Sequence, residues 1–147
     1  MFVVDTNVLV YAADTSAPEH ARCRALLERW REGSAAWFLT WGICYEFLRV
    51  VTHPRVLRRP WSAQAASGFL EAIWVSPGLS FLVPTDRHRA VLVDVVREVP
   101  SLAGNLWHDV ETASLMREHG IRRIYTRDRD FRSFPFLEPV DPVKQKA

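Results

Sequence analysis

The sequence predicts an α/β domain built around a mainly parallel sheet. Short apolar runs of strand length alternate with helical segments, the strand candidates are apolar, and no tight hairpin signal joins any two of them. The 147 residues are enough for one sizeable core and too few for two ordinary domains. A single domain over residues 1–142 is therefore expected, with 143–147 as a flexible tail.

Taken in order, MFVVD reads as a buried strand and TNVLVYAAD as the turn and helix that follow. PEHARCRALLERWREG is a helix with Pro18 at its start, Ala21, Leu26, Leu27 and Trp30 as apolar positions, and Gly33 as its stop. AWFLT is the second strand. WGICYEFLRVVTHP is long, apolar and closed by Pro54, which suits a buried helix better than a strand. After the basic connection RVLRRPW, SAQAASGFLEAIW puts Ala66, Phe69, Leu70 and Ile73 on one helical face with Ser62 as its cap. LSFLVP is a third strand and RHRAVLVDVVREVP a helix. NLWHDVETASLMREHG is another helix, with Asn105 as cap and Gly120 as terminator. RRIYT and LEPV supply the fourth and fifth strands.

Composition narrows the function classes. With 48% hydrophobic and 24% charged residues, the chain has globular rather than disordered character. The first apolar run lacks a basic flank and a small-residue cleavage site, and Asp5 interrupts it, so it is not read as a signal peptide. No segment reaches membrane-spanning length, and a cytoplasmic location is expected. Cys23 and Cys44 have no C-x-x-C or zinc-ligand spacing and read as two reduced, buried thiols. Net charge is only +2, yet 17 of the 19 basic residues are Arg, clustered as RCR, RWR, RVLRR, RHR and RRIYTRDRDFR. Guanidinium suits phosphate oxygens, although a GC-rich genome would produce the same preference, so charge alone only permits a nucleic-acid partner.

The chemistry rests on acids in unexpected places. Asp5 ends the first strand and Asp128 lies just beyond the fourth, in IYTRDRDF. Functional groups collect at such strand ends in parallel sheets. Asp130 follows closely, but strand or turn alternation would aim it differently. Glu46 is the lone acid of WGICYEFLRVV, with Arg49 three residues on as a possible ion-pair partner. On the sixth helical segment Leu106, Asp109, Ala113 and Met116 share a face, which turns Asp109 inward and Glu111 outward. A plain helix-dipole role for Asp109 is equally open.

Four acids in one place would need compensation. Two carboxylates about 4 Å apart repel by roughly 4 kcal/mol at an effective dielectric near 20, and a divalent cation relieves that cost. Carboxylate oxygens suit Mg²⁺ or Mn²⁺ rather than Zn²⁺, and His53 and His108 read as surface or supporting residues rather than ligands. A carboxylate-held Mg²⁺ points to phosphoryl chemistry. The chain has no G-x-x-x-x-G-K-S/T loop, G-x-G-x-x-G or G-x-S-x-G, which removes support for nucleotide-binding and serine-hydrolase readings.

The order of motifs then resembles a known family. DTNVLVYA, the Glu of YEFLRV, the HD of LWHDVETA and TRDRDF before a last short strand are similar to the PIN-domain ribonucleases, and most of all to VapC-type toxins of toxin–antitoxin pairs. The resemblance implies a parallel sheet of four to five short strands flanked by helices on both faces. It implies an Mg²⁺- or Mn²⁺-dependent endoribonuclease whose catalytic and metal-binding acids are Asp5, Glu46, Asp109 and Asp128, supported by Asn7, Thr126 and Asp130. It further implies structured RNA such as tRNA or rRNA as substrate, a homodimer, and a cognate antitoxin for which helices at 42–53 and 62–74 are candidate seats. Two alternatives stay open at the level of sequence: a housekeeping PIN nuclease, and a phosphatase with Asp5 as nucleophile. The phosphatase would want a second acid where this chain has Asn7.

Overall fold

The computed structural model describes residues 1–99 and 101–144; Pro100 and the greater part of the expected tail, 145–147, lie outside them. Five three-residue strands, β1 (Phe2–Val4), β2 (Trp37–Leu39), β3 (Leu79–Phe81), β4 (Arg123–Tyr125) and β5 (Glu138–Val140), form one sheet in the order β3-β2-β1-β4-β5. Every neighbouring pair is parallel. Between them run α1 (Thr6–Ala13), α2 (His20–Glu32), α3 (Trp41–Thr52), α4 (Ala63–Trp74), α5 (His88–Glu98) and α6 (Leu106–Glu118), with a short 3-10 turn at Asp130–Ser133. Right-handed crossovers running in opposite directions put their helices on opposite faces. The connections out to β3 and the return to β4 therefore cover both sides of the sheet.

Phe2, Val3 and Val4 are all buried, the pattern of a central parallel strand covered on both faces. The aromatic ring of Trp30 on α2 lies 5.0 Å from Phe2, 4.8 Å from Tyr125 and 6.3 Å from Trp37. This cluster locks α2 across β1, β2 and β4, and each such ring pair adds about 0.5–1.5 kcal/mol beyond the area it buries. Cys23 and Cys44 are free and buried, and burial pushes both thiols up to about 11, so they fill space rather than react.

Helix boundaries follow local chemistry with four corrections. Ser62 caps α4 by accepting from the Ala65 amide at 3.1 Å, and Gly120 ends α6 with φ +70°, a conformation open to glycine. By contrast, α1 starts at Thr6 with no intervening turn, because Asp5 itself is the cap. Pro18 sits in the turn before α2, which begins at His20. Within α2, Ala21 is exposed and Cys23 takes the buried position. Asn105 precedes α6 in a helical conformation and makes no capping hydrogen bond.

One buried carboxylate ties the return connection down. Glu118 on α6 accepts from the Thr85 amide (2.6 Å), from the Thr85 hydroxyl and from His88 Nδ1 (2.7 Å). Burial would raise its pKa, but these donors prevail and hold it at about 2. Among the described residues, no helix is long and apolar enough to cross a membrane.

Candidate metal centre and active-site cleft

The strand order reverses around β1: its outgoing connection leads to β2 on one side, and that of β4 leads to β5 on the other. A crevice opens where neighbouring strands send their chains in opposite directions. Asp5 and Thr126, each one residue past its strand, stand on either side of it. The Asp5 amide donates to the Tyr125 carbonyl at 3.0 Å, carrying the β1–β4 pairing up to the carboxylate.

Asp5 is 8% exposed and fully engaged. Its Oδ1 accepts from the Thr6 amide at 2.7 Å, capping α1. Its Oδ2 accepts from the Thr126 hydroxyl at 2.6 Å and from the Asn7 side-chain amide. Asn7 also donates to Thr126 Oγ1 at 3.0 Å and accepts from the Arg127 amide at 3.1 Å. The same Thr126 oxygen accepts from the Asp128 amide at 2.9 Å, and Asp128 Oδ1 in turn accepts from the Asp130 amide at 2.9 Å. One hydrogen-bonded chain thus runs from β1 through Thr126 to Asp130, and Asn7 braces it from α1.

Opposite this chain, the first turn of α6 presents Asp109. Oxygens of Asp109, Asp128 and Asp130 all lie within 4.8 Å of one another. Asp130 therefore joins Asp128 rather than pointing elsewhere: the turn closed by the Asp128 side chain, and the 3-10 helix that follows, replace the strand alternation assumed from sequence. Glu46 lines the same cleft from α3, but its Oε1 pairs with Arg49 at 3.0 Å. The ion pair within the helix that sequence allowed is thus formed. Glu111 does point outward, with its carboxylate close to Gly42 at the start of α3.

The electrostatics show how costly this gathering is. Burial pushes Asp5 up to about 6 against the opposing hydrogen bonds of Thr126 and Thr6, with Asp128 and Glu46 adding to the rise. Asp109 is driven to about 8, by burial first and then by Asp5, Asp128, Asp130 and Glu46. A place in the first turn of a helix favours a carboxylate by only about 0.3–1 kcal/mol. Desolvation and like charge clearly outweigh it. At neutral pH Asp109 therefore holds a proton unless a cation displaces it.

The cleft measures about 610 Å³ and also takes in Val10, Tyr11, Arg49, Asn105 and His108. The sequence points to none of Val10, Tyr11 and Asn105 as part of the site, while it offers Arg49 as an ion-pair partner of Glu46 and His108 as a surface or supporting residue. Tyr11 was within reach of it, being one helical turn beyond Asn7 on α1. Asn105, a cap by its place in the sequence, has helical backbone angles instead and lines the cleft.

The comparisons agree with this architecture. The family model for the PIN domain matches residues 2–137. The chain is 34% identical over 138 residues to Ribonuclease VapC48 of Mycobacterium tuberculosis, covering 94% of each sequence. Among solved structures, VapBC2 from Rickettsia felis, bound to a DNA fragment from its promoter, superposes with a TM-score of 0.64 at 14% identity, over 95% of this chain and 96% of that one. Mycobacterium tuberculosis VapC20, described as a sarcin-ricin loop cleaving toxin, gives a TM-score of 0.62 at 16% identity, over 90% and 94%. In sequence and in fold, the chain belongs to the PIN-domain family, among its VapC-type members.

Proposed function

We propose that this protein is an endoribonuclease that hydrolyses RNA phosphodiester bonds with a divalent cation, and that it acts as the toxin of a toxin–antitoxin pair. The observation that carries the reading is the gathering of Asp109, Asp128 and Asp130 oxygens within 4.8 Å, beside an Asp5 fixed by three donors.

The donor set fits a hard cation: it consists of carboxylate oxygens, as Mg²⁺ or Mn²⁺ prefers, and the raised Asp109 and Asp5 mark negative charge that a cation would neutralise. Asp109, Asp128, Asp130 and Asp5 would hold it, with Glu46 within the same cleft. Once bound, a divalent cation supplies a more acidic water and offsets charge developing on phosphate oxygens. The chain's own part is positional. Thr126 and Asn7 prevent the Asp5 carboxylate from rotating, and Thr126 sets Asp128 against it. Outer hydrogen bonds of this kind commonly change metal affinity or activity 10–100-fold.

The names of the relatives support the assignment of substrate and partner. VapC20 is described by its action on the sarcin-ricin loop, which favours a structured RNA as substrate here. The VapBC2 complex favours a cognate antitoxin, and the groove between α3 and α4, lined by Leu48, Thr52, Ala63 and Ser67, is our candidate for its seat. We assign the aromatic surface of α3, where Trp41 is 47% and Tyr45 71% exposed, to a homodimer contact. Cytoplasmic RNA is the pool on which such an enzyme would act.

The test is to incubate the purified, antitoxin-free protein with total cellular RNA and map new ends. Cleavage at discrete sites with Mg²⁺ or Mn²⁺, abolished by EDTA, is the expected result. Intact RNA throughout, with either metal at millimolar concentration, would reject the proposal.

A further inference from the structure

The cleft that would hold the scissile phosphate is a poor place to bind RNA. Five carboxylates line it, Asp5, Glu46, Asp109, Asp128 and Asp130, and its one arginine, Arg49, is paired with Glu46. Even with a cation present, the rest of a polyanionic strand must find its counter-charge elsewhere.

A second cavity, of about 660 Å³, lies at the far end of α1. It is lined by Asp14, Thr15 and Ser16 beyond α1 and by Arg58, Arg59 and Trp61 beyond α3. Val10 and Tyr11 line the acidic cleft, and Ala13 and Asp14, one helical turn on, line the second cavity. On the facing side Val50 borders the first, and the Trp61 amide donates to the Val51 carbonyl at 2.8 Å beside the second.

The loop that presents these arginines is held in place. Leu57 is buried, the Val56 and Leu57 amides both reach the His53 carbonyl, and the Trp61 ring packs edge-on against Phe47 and Phe69. Arg58 and Arg59 are exposed and have no ion-pair partner among the described residues. The one acid in the cavity, Asp14, is turned into its own loop, where its Oδ1 accepts from the Ser16 amide and hydroxyl.

We infer that Arg58 and Arg59 form a backbone-phosphate subsite that grips the RNA strand to one side of the scissile bond. This rests on the reading of the acidic cleft as the cleavage site. Asp5 and Asp14 are nine residues apart along α1, about 13 Å at 1.5 Å per residue. That corresponds to about four nucleotides at the 3.4 Å rise of a stacked strand. Guanidinium groups bind phosphate oxygens in bidentate fashion without reading the base, so the subsite sets register and affinity while leaving sequence preference to the cleft.

The experiment compares Arg58→Ala/Arg59→Ala with Arg89→Ala/Arg97→Ala, which removes the same charge from α5. Binding of a fluorescein-labelled single-stranded RNA is followed by anisotropy between 50 and 200 mM salt, in a non-cleaving Asp109→Asn background. The Arg58/Arg59 change should weaken binding about tenfold and flatten the plot of log affinity against log salt by about 1.4, at ~0.7 per lost phosphate contact on a single strand. The α5 control should leave the slope unchanged. In the cleaving protein, KM for long RNA should rise with kcat unchanged, while oligonucleotides too short to span both cavities are cut as before. Equal losses in both double variants, or no change in slope, would overturn the subsite. So would unaltered RNA binding combined with weaker capture of the antitoxin, because the arginines would then belong to that partner. If the protein cuts no RNA but the slope still falls, Arg58 and Arg59 bind RNA phosphates without a scissile bond beside them, and it is the nuclease reading that fails.

Discussion

Asp109→Asn is expected to reduce RNA cleavage by at least ~100-fold and, at the same time, to make the cation-free protein more stable at pH 8. The loss of activity follows from removing a carboxylate that would bind the cation directly, a larger change than the 10–100-fold typical of its supporting hydrogen bonds. The gain in stability follows from the raised pKa. Asp109 holds its proton in the folded protein up to about 8, whereas in the unfolded chain it ionises near 3.8. The folded state binds more protons between these values, so stability falls as pH rises through that window and the penalty is complete above pH 8. Asn carries no such penalty. Its advantage should be absent near pH 4, grow toward pH 8, and reach about 2–4 °C in Tm if the relief is on the order of 1 kcal/mol. Thermal unfolding in EDTA at pH 5 and pH 8 measures it. A variant no more stable at pH 8 than at pH 5, relative to the parent, would refute the electrostatic account. Glu118 does not confuse this window. Held at about 2, it contributes stability above its unfolded value and loses it only at more acid pH.

Asp5→Asn should remove activity to a similar degree but change stability in the opposite direction. Both oxygens of Asp5 are acceptors: Oδ1 for the Thr6 amide, Oδ2 for Thr126 and Asn7. An asparagine can keep the cap through its carbonyl oxygen, but its amide then faces the Asn7 amide donor. A buried donor left without an acceptor costs about 1–3 kcal/mol, and the misdirected Asn7 would loosen its hold on Thr126 and on the Arg127 amide. The relief of charge is smaller here, since Asp5 rises only to about 6. A fall in Tm at pH 7, read by the same thermal scan, is the expected outcome. A rise matching that of Asp109→Asn would show that the hydrogen bonds around Asp5 do not stabilise it.

The opposite behaviour of these two acids shows what could be read from sequence and what could not. That Asp5 ends the first strand and Asp128 lies just past the fourth, as candidates for one crevice, was legible, because the apolar runs mark strands and parallel sheets collect function at their carboxyl ends; that the two strands are neighbours was not. Ser62 and Gly120 were legible for similarly local reasons. The partnership of Thr126 with Asp5 spans 121 positions and leaves no periodic trace. Spacing alone turns Asp130 away from Asp128, whereas the family resemblance counts it as a supporting acid; the difference lies in the Asp130 amide donating to the Asp128 side chain, which curls the chain where strand alternation would have kept it extended. Buried Glu118 went unremarked, since its partners Thr85 and His88 are at least 30 positions distant. Local chemistry is written in neighbouring residues; burial and charge coupling depend on which distant elements meet.

In the proposed centre the acids at the ends of β1 and β4 and on α6 jointly hold one divalent cation. A calorimetric titration of Mn²⁺ into the parent and into Asp109→Asn, at pH 6 and pH 8.5, tests it most directly. Because Asp109 carries a proton below about 8 and Asp5 is raised to about 6, binding to the parent should tighten with pH and release more than one proton at pH 6 and much less at pH 8.5. The Asn variant should bind at least ~10-fold more weakly, with less proton release and a flatter pH dependence. Equal affinity for the two proteins, or no proton release from the parent at pH 6, would contradict the claim.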